Sequence, residues 1–318
     1  MPLMRALCLF VAIALGLAAP TAAQDYPTKP IKILVGFAPG GAGDLLTREY
    51  AKALQDAWGQ PVIVENKAGA NGVIATDAVA KSPPDGYTLV LAINSTVTNN
   101  FLYKNVTYDV WKDFAPVSLI ANTPLVLACT PSFAPTTLKE LIAHARTNEV
   151  TYGSPGNGSI IQLAMELMNA KAGIKMTHVP YKGGAPSMAA VLAGEVNCSW
   201  FSIAQSLSNI RAGKLRALAL TEKSPTLPEV PTAVEAGIAG YHADTWYGYL
   251  APAGTPPAIV DKLNKELNRI SKSPEMAARL NTVGAIPMFG TPEEFAAFMK
   301  AESVKWGEVI TATKITGE

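Results

Sequence analysis

The sequence predicts an α/β protein of two lobes, each a central, mostly parallel sheet flanked by helices, with a cleft between the lobes. Three observations carry this reading. Apolar runs of strand length alternate with amphipathic stretches of helix length along the chain. Those strand runs are continuous rather than alternating, as expected where helices cover both faces of a sheet. A strand, a glycine-rich turn and a helix follow one another twice, at Ile31–Trp58 and again at Val150–Ala172.

Residues 1–23 read as a removable leader. Arg5 precedes an apolar run from Ala6 to Ala19, and Pro20-Thr21-Ala22-Ala23 suits a cleavage site before Gln24. The run is short for a bilayer span, and Cys8 inside it lacks the Leu-Ala-Gly context of a lipid anchor. The expectation is an exported, soluble, periplasmic protein. Removing the leader takes away one of 26 basic residues and none of 25 acidic ones, so 25 against 25 leaves no net charge. A neutral chain has no sequence-level reason to bind nucleic acid or an acidic membrane surface. Cys129 and Cys198 lie in apolar, strand-like runs; buried thiols are the simpler reading, although export permits a bridge. His144, His178 and His242 have no paired spacing, so no metal site is expected.

In chain order, Ile31–Phe37 is a buried strand, Gly40-Gly41-Ala42-Gly43 a turn, and the stretch to Trp58 a helix. Pro61–Glu65 is a β-branched strand and Gly72–Ala80 a helix entered through Gly69-Ala70-Asn71. Asp85-Gly86 is a turn, and Tyr87–Ile93 completes a βαβαβ unit. The loop Asn94–Asn100 follows at a strand's carboxyl end, where open α/β sheets bind ligands. Two apolar runs around Asn122-Thr123-Pro124 cross into the second lobe. There Thr137 and Glu140 form a capping box for a helix at Leu138–Ala145, and the loop Gly153–Ser159 opens a helix at Ile160–Ala172. His178–Tyr181 is extended, Pro186–Ala193 helical, and Val196–Phe201 and Lys214–Thr221 are strands. Glu229–Thr232 and Trp246–Pro252 form the return crossing. Thr255 and Pro256 begin a helix through Ile270, and Thr291 with Glu294 begins the last. Packing the C-terminal helices on the first lobe makes that lobe discontinuous, 24–122 with 247–318, around a second lobe at 123–246.

The Ile31–Trp58 unit aims free backbone N–H groups and the positive end of a helix at one point, which makes an anion receptor. It is neither a dinucleotide fingerprint nor a P-loop: Leu46 stands where G-x-G-x-x-G needs glycine, and G-K-[ST] is missing. Asp44 reads as the helix N-cap, or as a holder of a water or a ligand amino group. Ser154, Asn157 and Ser159 offer donors at the second helix N-terminus, or serve only as caps and turns. Lys182 is a ligand cation or a solvated loop charge, and Trp200 and Trp246 are core or pocket wall. A serine hydrolase would want a G-x-S-x-G elbow, and Tyr152 stands where the leading glycine belongs. Four charge-assisted hydrogen bonds of about 1.5–3 kcal/mol each sum to about 6–12 kcal/mol gross, against about 8 net for micromolar binding. An anion is therefore held without a dedicated arginine only if both lobes close over it.

The stretches YPTKPIKILVGFAPGGAGD, QPVIVENKAGANG, PDGYTL, YDVWKDFAPVSLI, HVPYKGGAPSM, GKLRALALT, EVPTAVEAGIAGY and APAGTPPAIVDKLN, in this order, resemble the Bug (TctC) family. These are extracytoplasmic solute-binding proteins of tripartite tricarboxylate transporters. The resemblance spans the whole mature chain. It implies a two-lobed, periplasmic-binding-protein-like fold, a monomer, no cofactor, and a small carboxylate clamped in the cleft partly through waters. The implied partners are the large and small membrane subunits of an ion-driven carrier. Matching the family's ligand loops places Phe37, Ala38, Gly40, Gly41 and Asp44 on the first lobe. On the second they fall on Ser154, Gly158 and Ser159, with Tyr181 and Lys182 nearby. Thr96 and Asn157 complete the expected ligand set, with Gln162, Tyr181 and Trp200 setting selectivity. Gln162 stands where the family usually has histidine; Ala190 and Phe201 stand where it often has an acid. Each change makes the second wall less ionic, so the expected ligand is an apolar or aromatic monocarboxylate, or a plain dicarboxylate. Two other readings are a module that presents its ligand to a membrane sensor, and an exported hydrolase pairing Ser159 with His178.

Overall fold

The computed structural model describes residues 26–282 and 284–317, so the expected leader at 1–23 lies outside the described residues. Strand β1 (Ile31–Val35) is buried except at Lys32, because it runs between two parallel neighbours, β2 (Val62–Asn66) and β3 (Thr88–Ala92). Between β1 and β2, helix α1 (Ala42–Trp58) buries Leu46, Tyr50 and Leu54, four residues apart, against one face of the sheet. It stops at Gly59, which takes the left-handed conformation at φ 66. Helix α2 (Val73–Ala80) covers the other face. The run Asn94–Asn100, expected as a loop, is the body of helix α3 (Asn94–Leu102). Its Ser, Thr and Asn residues give it little propensity; tertiary burial holds it, with Asn94, Thr96, Thr98 and Asn99 all 3% exposed or less.

The chain then runs through β4 (Phe114–Thr123) and crosses at Pro124 into β5 (Leu125–Cys129). The second half follows as α4 (Leu138–Ala145), β6 (Thr151–Ser154), α5 (Ile160–Ala172), β7 (Thr177–Pro180) and α6 (Gly184–Ala193), then β8 (Cys198–Ser202), α7 (Ile203–Arg211) and β9 (Arg216–Leu220). It returns through β10 (Thr245–Pro252) to α8 (Pro257–Ser271), α9 (Pro274–Thr282), β11 (Ile286–Pro287) and α10 (Pro292–Thr313). Glu229–Thr232 stays in the second half, where Thr232 bridges Leu220. The sequence reading passes over α7, α9 and β11.

One six-stranded sheet has the order β11-β4-β10-β3-β1-β2, and a five-stranded sheet has β7-β6-β8-β5-β9. In the first, β1 to β4 share one direction, and β10 and β11 oppose them. In the second, β5 alone opposes its neighbours. Each sheet buries apolar side chains on both faces, as the continuous apolar runs require. Cys129 and Cys198 are direct partners across β5 and β8, with Cα atoms 4.0 Å apart, and they form a disulfide. Strand register, invisible in sequence, decides this against the free-thiol reading.

The two crossings lie side by side, with Thr123 paired to Thr245. Asp244 ties them together: Asn122 Nδ2 donates to it at 3.0 Å, and the Thr221 hydroxyl donates to its other oxygen. Burial first, and then the adjacent Asp244 carboxylate, push the Glu222 carboxyl up to about 7. Helix α10 reaches beyond the first lobe. Phe295 and Met299 pack on the first sheet, whereas Trp306, Val309 and Ile310 enter the core of the second. At about 1.5 Å per residue a helix of this length spans about 33 Å, enough to serve both cores.

Candidate functional site

In the first glycine-rich loop, the N-cap of α1 is Gly41, not Asp44. Asp44 sits inside the first turn, 3% exposed, and both its oxygens are fully engaged. Oδ2 accepts from the Gly40 amide at 2.9 Å and from Arg48 Nε at 3.1 Å; Oδ1 accepts from Asn66 Nδ2 and Arg48, both at 2.9 Å. Burial alone would raise this carboxyl, but the bonds from Arg48, Gly40 and Asn66 outweigh it and hold the group below its ordinary value. The loop thus carries its own anion, and the Gly40 amide is already taken.

The second loop is built differently. Ser159 caps α5: its Oγ donates to the Gly156 carbonyl at 2.7 Å and accepts from the Gln162 amide at 3.4 Å. Ser154 is 0% exposed, and its Oγ lies 2.6 Å from His178 Nε2. Gln162 Oε1 accepts from the Gly158 amide at 2.7 Å. Burial pulls the His178 imidazole down to about 4. Side chains behind the loop therefore take the Gly156 and Gly158 amides and set its shape, while its other side faces outward.

That outward side is one wall of a cleft of about 480 Å³ between the two sheets. From the second half come Asn157, Gly158 and Ser159, with Gly183 and Gly184 at the start of α6. From the first half come Asn71, Asn94, Ser95 and Thr98. Phe37, Ile93, Tyr103, Ile160 and Leu163 supply apolar surface. The N-termini of three helices, α3, α5 and α6, open on this space, each with amides that have no partner inside their own helix. No Lys, Arg, His, Asp or Glu lines it among the described residues. The arrangement favours a small anion gripped by neutral donors and helix ends, with apolar contact along its body.

The family model of the tripartite tricarboxylate transporter family receptor matches residues 46–315. The chain belongs to this family. BugT of Bordetella pertussis is 38% identical over 317 residues, which are 98% of this chain and 97% of that protein. Among solved structures, Rpa4515 of R. palustris with adipate matches at TM-score 0.83 and 35% identity, over 92% of this chain and 99% of that one. MatC (Rpa3494) from Rhodopseudomonas palustris with bound malate matches at TM-score 0.77 and 31% identity, over 90% and 100%. The receptor shares the two-lobed α/β architecture of these periplasmic binding proteins.

Of the residues that sequence reasoning singled out, the receptor brings Phe37, Asn157, Gly158 and Ser159 to the cleft wall. Ala38, Gly40 and Gly41 are exposed outside it, and Asp44 is buried beneath its loop. Thr96 is 3% exposed, its Oγ1 accepting from the Ile93 amide at 3.1 Å to cap α3. Ser154 and Gln162 stand behind the second loop. Tyr181 packs against the second lobe's core, with its amide donating to the Ser154 carbonyl, while Lys182 is exposed. Trp200 is 0% exposed and stacked on Tyr241 at 5.5 Å, so it is core and not pocket wall. The Ser159–His178 pair of the hydrolase reading does not form; His178 contacts Ser154, which is shut off from solvent. Sequence reasoning placed the Asn94–Asn100 stretch at a ligand-binding strand end but named only Thr96 from it, where Asn94, Ser95 and Thr98 line the cleft, and it missed Asn71, Gly183 and Gly184. The Gly183-Gly184 dipeptide ahead of a helix was the signal available for the last two.

Proposed function

We propose that this receptor captures a small carboxylate in the interlobe cleft and delivers it to the large and small membrane subunits of a tripartite tricarboxylate-type transporter. The observation that carries the reading is the cleft itself: three helix N-termini and neutral donors around a space that no charged side chain lines among the described residues. A carboxylate finds donors there, whereas an ammonium group finds no carboxylate partner, so zwitterionic amino acids are poor ligands. The apolar surface of Phe37, Ile93, Ile160 and Leu163 suits an extended aliphatic dicarboxylate or an apolar monocarboxylate. The neighbours solved with adipate and with malate support the same class.

In this reading the first lobe comprises 24–122 and 247–318 and the second 123–246, with α10 bracing both. The protein acts as a monomer in the periplasm after cleavage near Ala23, without turnover or cofactor. Calorimetry at pH 7 against adipate, malate, benzoate and a set of amino acids tests the ligand class. Binding of an acid without an amino group is the expected result; binding of amino acids alone overturns the reading. Native mass spectrometry of unrefolded protein identifies any co-purified acid.

A further inference from the structure

Behind the second cleft wall, Gln162 and His178 belong to a hydrogen-bond chain in which each group has one possible role. Gln162 is buried, and its Oε1 faces the Gly158 amide at 2.7 Å. A backbone N–H only donates, so the side-chain oxygen must sit there and Nε2 must point the other way. Nε2 lies 3.1 Å from His178 Nδ1, which must therefore accept, leaving the ring hydrogen on Nε2. Nε2 then donates to Ser154 Oγ at 2.6 Å. That hydroxyl also accepts from the Gly156 amide at 3.1 Å and donates to the Gly156 carbonyl at 3.0 Å. Tyr152 stacks on the imidazole with centroids 4.9 Å apart and keeps it in plane. At the far end of the chain, Gly158 has φ +72, and a Cβ there would stand 2.8 Å from Leu102 Cδ1 on α3. Gly158 is thus a point where the second lobe touches the first.

We propose that Gln162 and His178 are positioning residues for ligand capture: a neutral His178 orients the Gln162 amide, which fixes Gly158 and the interlobe contact it makes. The inference rests on the cleft being the carboxylate site. A proton added at Nδ1 sets donor against donor. Turning the Gln162 amide over relieves that clash but points its NH2 at the Gly158 N–H, so the relief costs Gly158 its acceptor. The ring is open to protons from the outer surface, where Gln162, Glu166, Lys175, His178 and Lys314 line a depression of about 610 Å³. Of these, Glu166 accepts from the Tyr152 hydroxyl at 2.6 Å and is an anion that favours an imidazolium, while the cations Lys175 and Lys314 bring the opposite sign of charge to the same depression.

The test is read without ligand on 15N-labelled protein. Long-range proton–nitrogen spectra of the wild type at pH 7 show His178 with its hydrogen on Nε2, and the Gly158 amide is protected from exchange. In Gln162→Leu that protection falls about tenfold, the scale of one lost hydrogen bond. In Gln162→Glu a carboxylate accepts from both sides, so Gly158 stays protected within about threefold while His178 becomes an imidazolium at pH 7. Adipate is the binding probe at pH 7, weakened about tenfold by Gln162→Leu and rescued by Gln162→Glu. A wild-type hydrogen on Nδ1, or unchanged Gly158 protection in Gln162→Leu, overturns the proposal. Because the spectra need no ligand, failure of adipate to bind counts against the carboxylate reading and not against the relay.

Discussion

The two glycine-rich turns make the instructive comparison. Both follow a buried strand and open a helix, and in sequence they are near equivalents. In the first, the turn folds around Asp44, whose carboxylate takes the Gly40 amide and pairs with Arg48. In the second, the caps are the neutral residues Ser159 and Gln162, and the loop backbone lines the cleft. A strand, glycine turn and helix cannot serve as an anion receptor once an internal carboxylate has filled it. The first lobe compensates with a different element, the polar N-terminus of α3.

Changes in the second loop should therefore alter affinity, and changes in the first stability. The largest expected effect is at Gly158. Gly158→Ala puts an L-residue at φ +72 and a methyl against Leu102, holding the lobes apart. Adipate binding should weaken by about 2 kcal/mol, roughly thirtyfold by calorimetry. Unchanged affinity would show that Gly158 plays no part in holding the lobes over a ligand. Next is Asp44→Asn. Every contact to Asp44 is a donor, so an amide NH2 there must face one of them, at a cost of about 1–2 kcal/mol in denaturant melts. Affinity for adipate should stay within about twofold; a large loss would return Asp44 to the binding site.

The smallest net effect in the wild type is a pair of opposed pH slopes. His178 is held neutral, with its folded value near 4 against an ordinary 6.5. Its contribution is full above 6.5 and is lost as pH falls toward 4. Glu222 is held protonated, near 7 against an ordinary 4.5, so its contribution is full below 4.5 and is lost as pH rises through 7. The slopes oppose each other across the same window and flatten the wild-type profile. Glu222→Gln should unmask stability that rises with pH between about 4 and 6.5, and His178→Asn stability that falls between about 4.5 and 7. Thermal melts across that range check both.

Much of this was legible in the sequence, and the losses have physical causes. Continuous apolar runs located most strands, and α5 (Ile160–Ala172) matched its expected bounds because Ser159 and Gly173 cap it at both ends. Helix α3 was read as a loop because its residues are poor helix formers held by burial. Trp200 reads in sequence as core or pocket wall, because aromatic residues carry no mark of which sheet face they occupy.

By itself, the chain determined the alternation of strands and helices, the two turn–helix units, the near-neutral charge, and the family. These follow from local patterns and from ordered stretches that need no partner in space. Only tertiary structure decided that Cys129 meets Cys198, that Asp44 satisfies its own loop, and that α10 braces both cores. Each depends on register or on which of several donors an acceptor meets, and neither is set by neighbours along the chain.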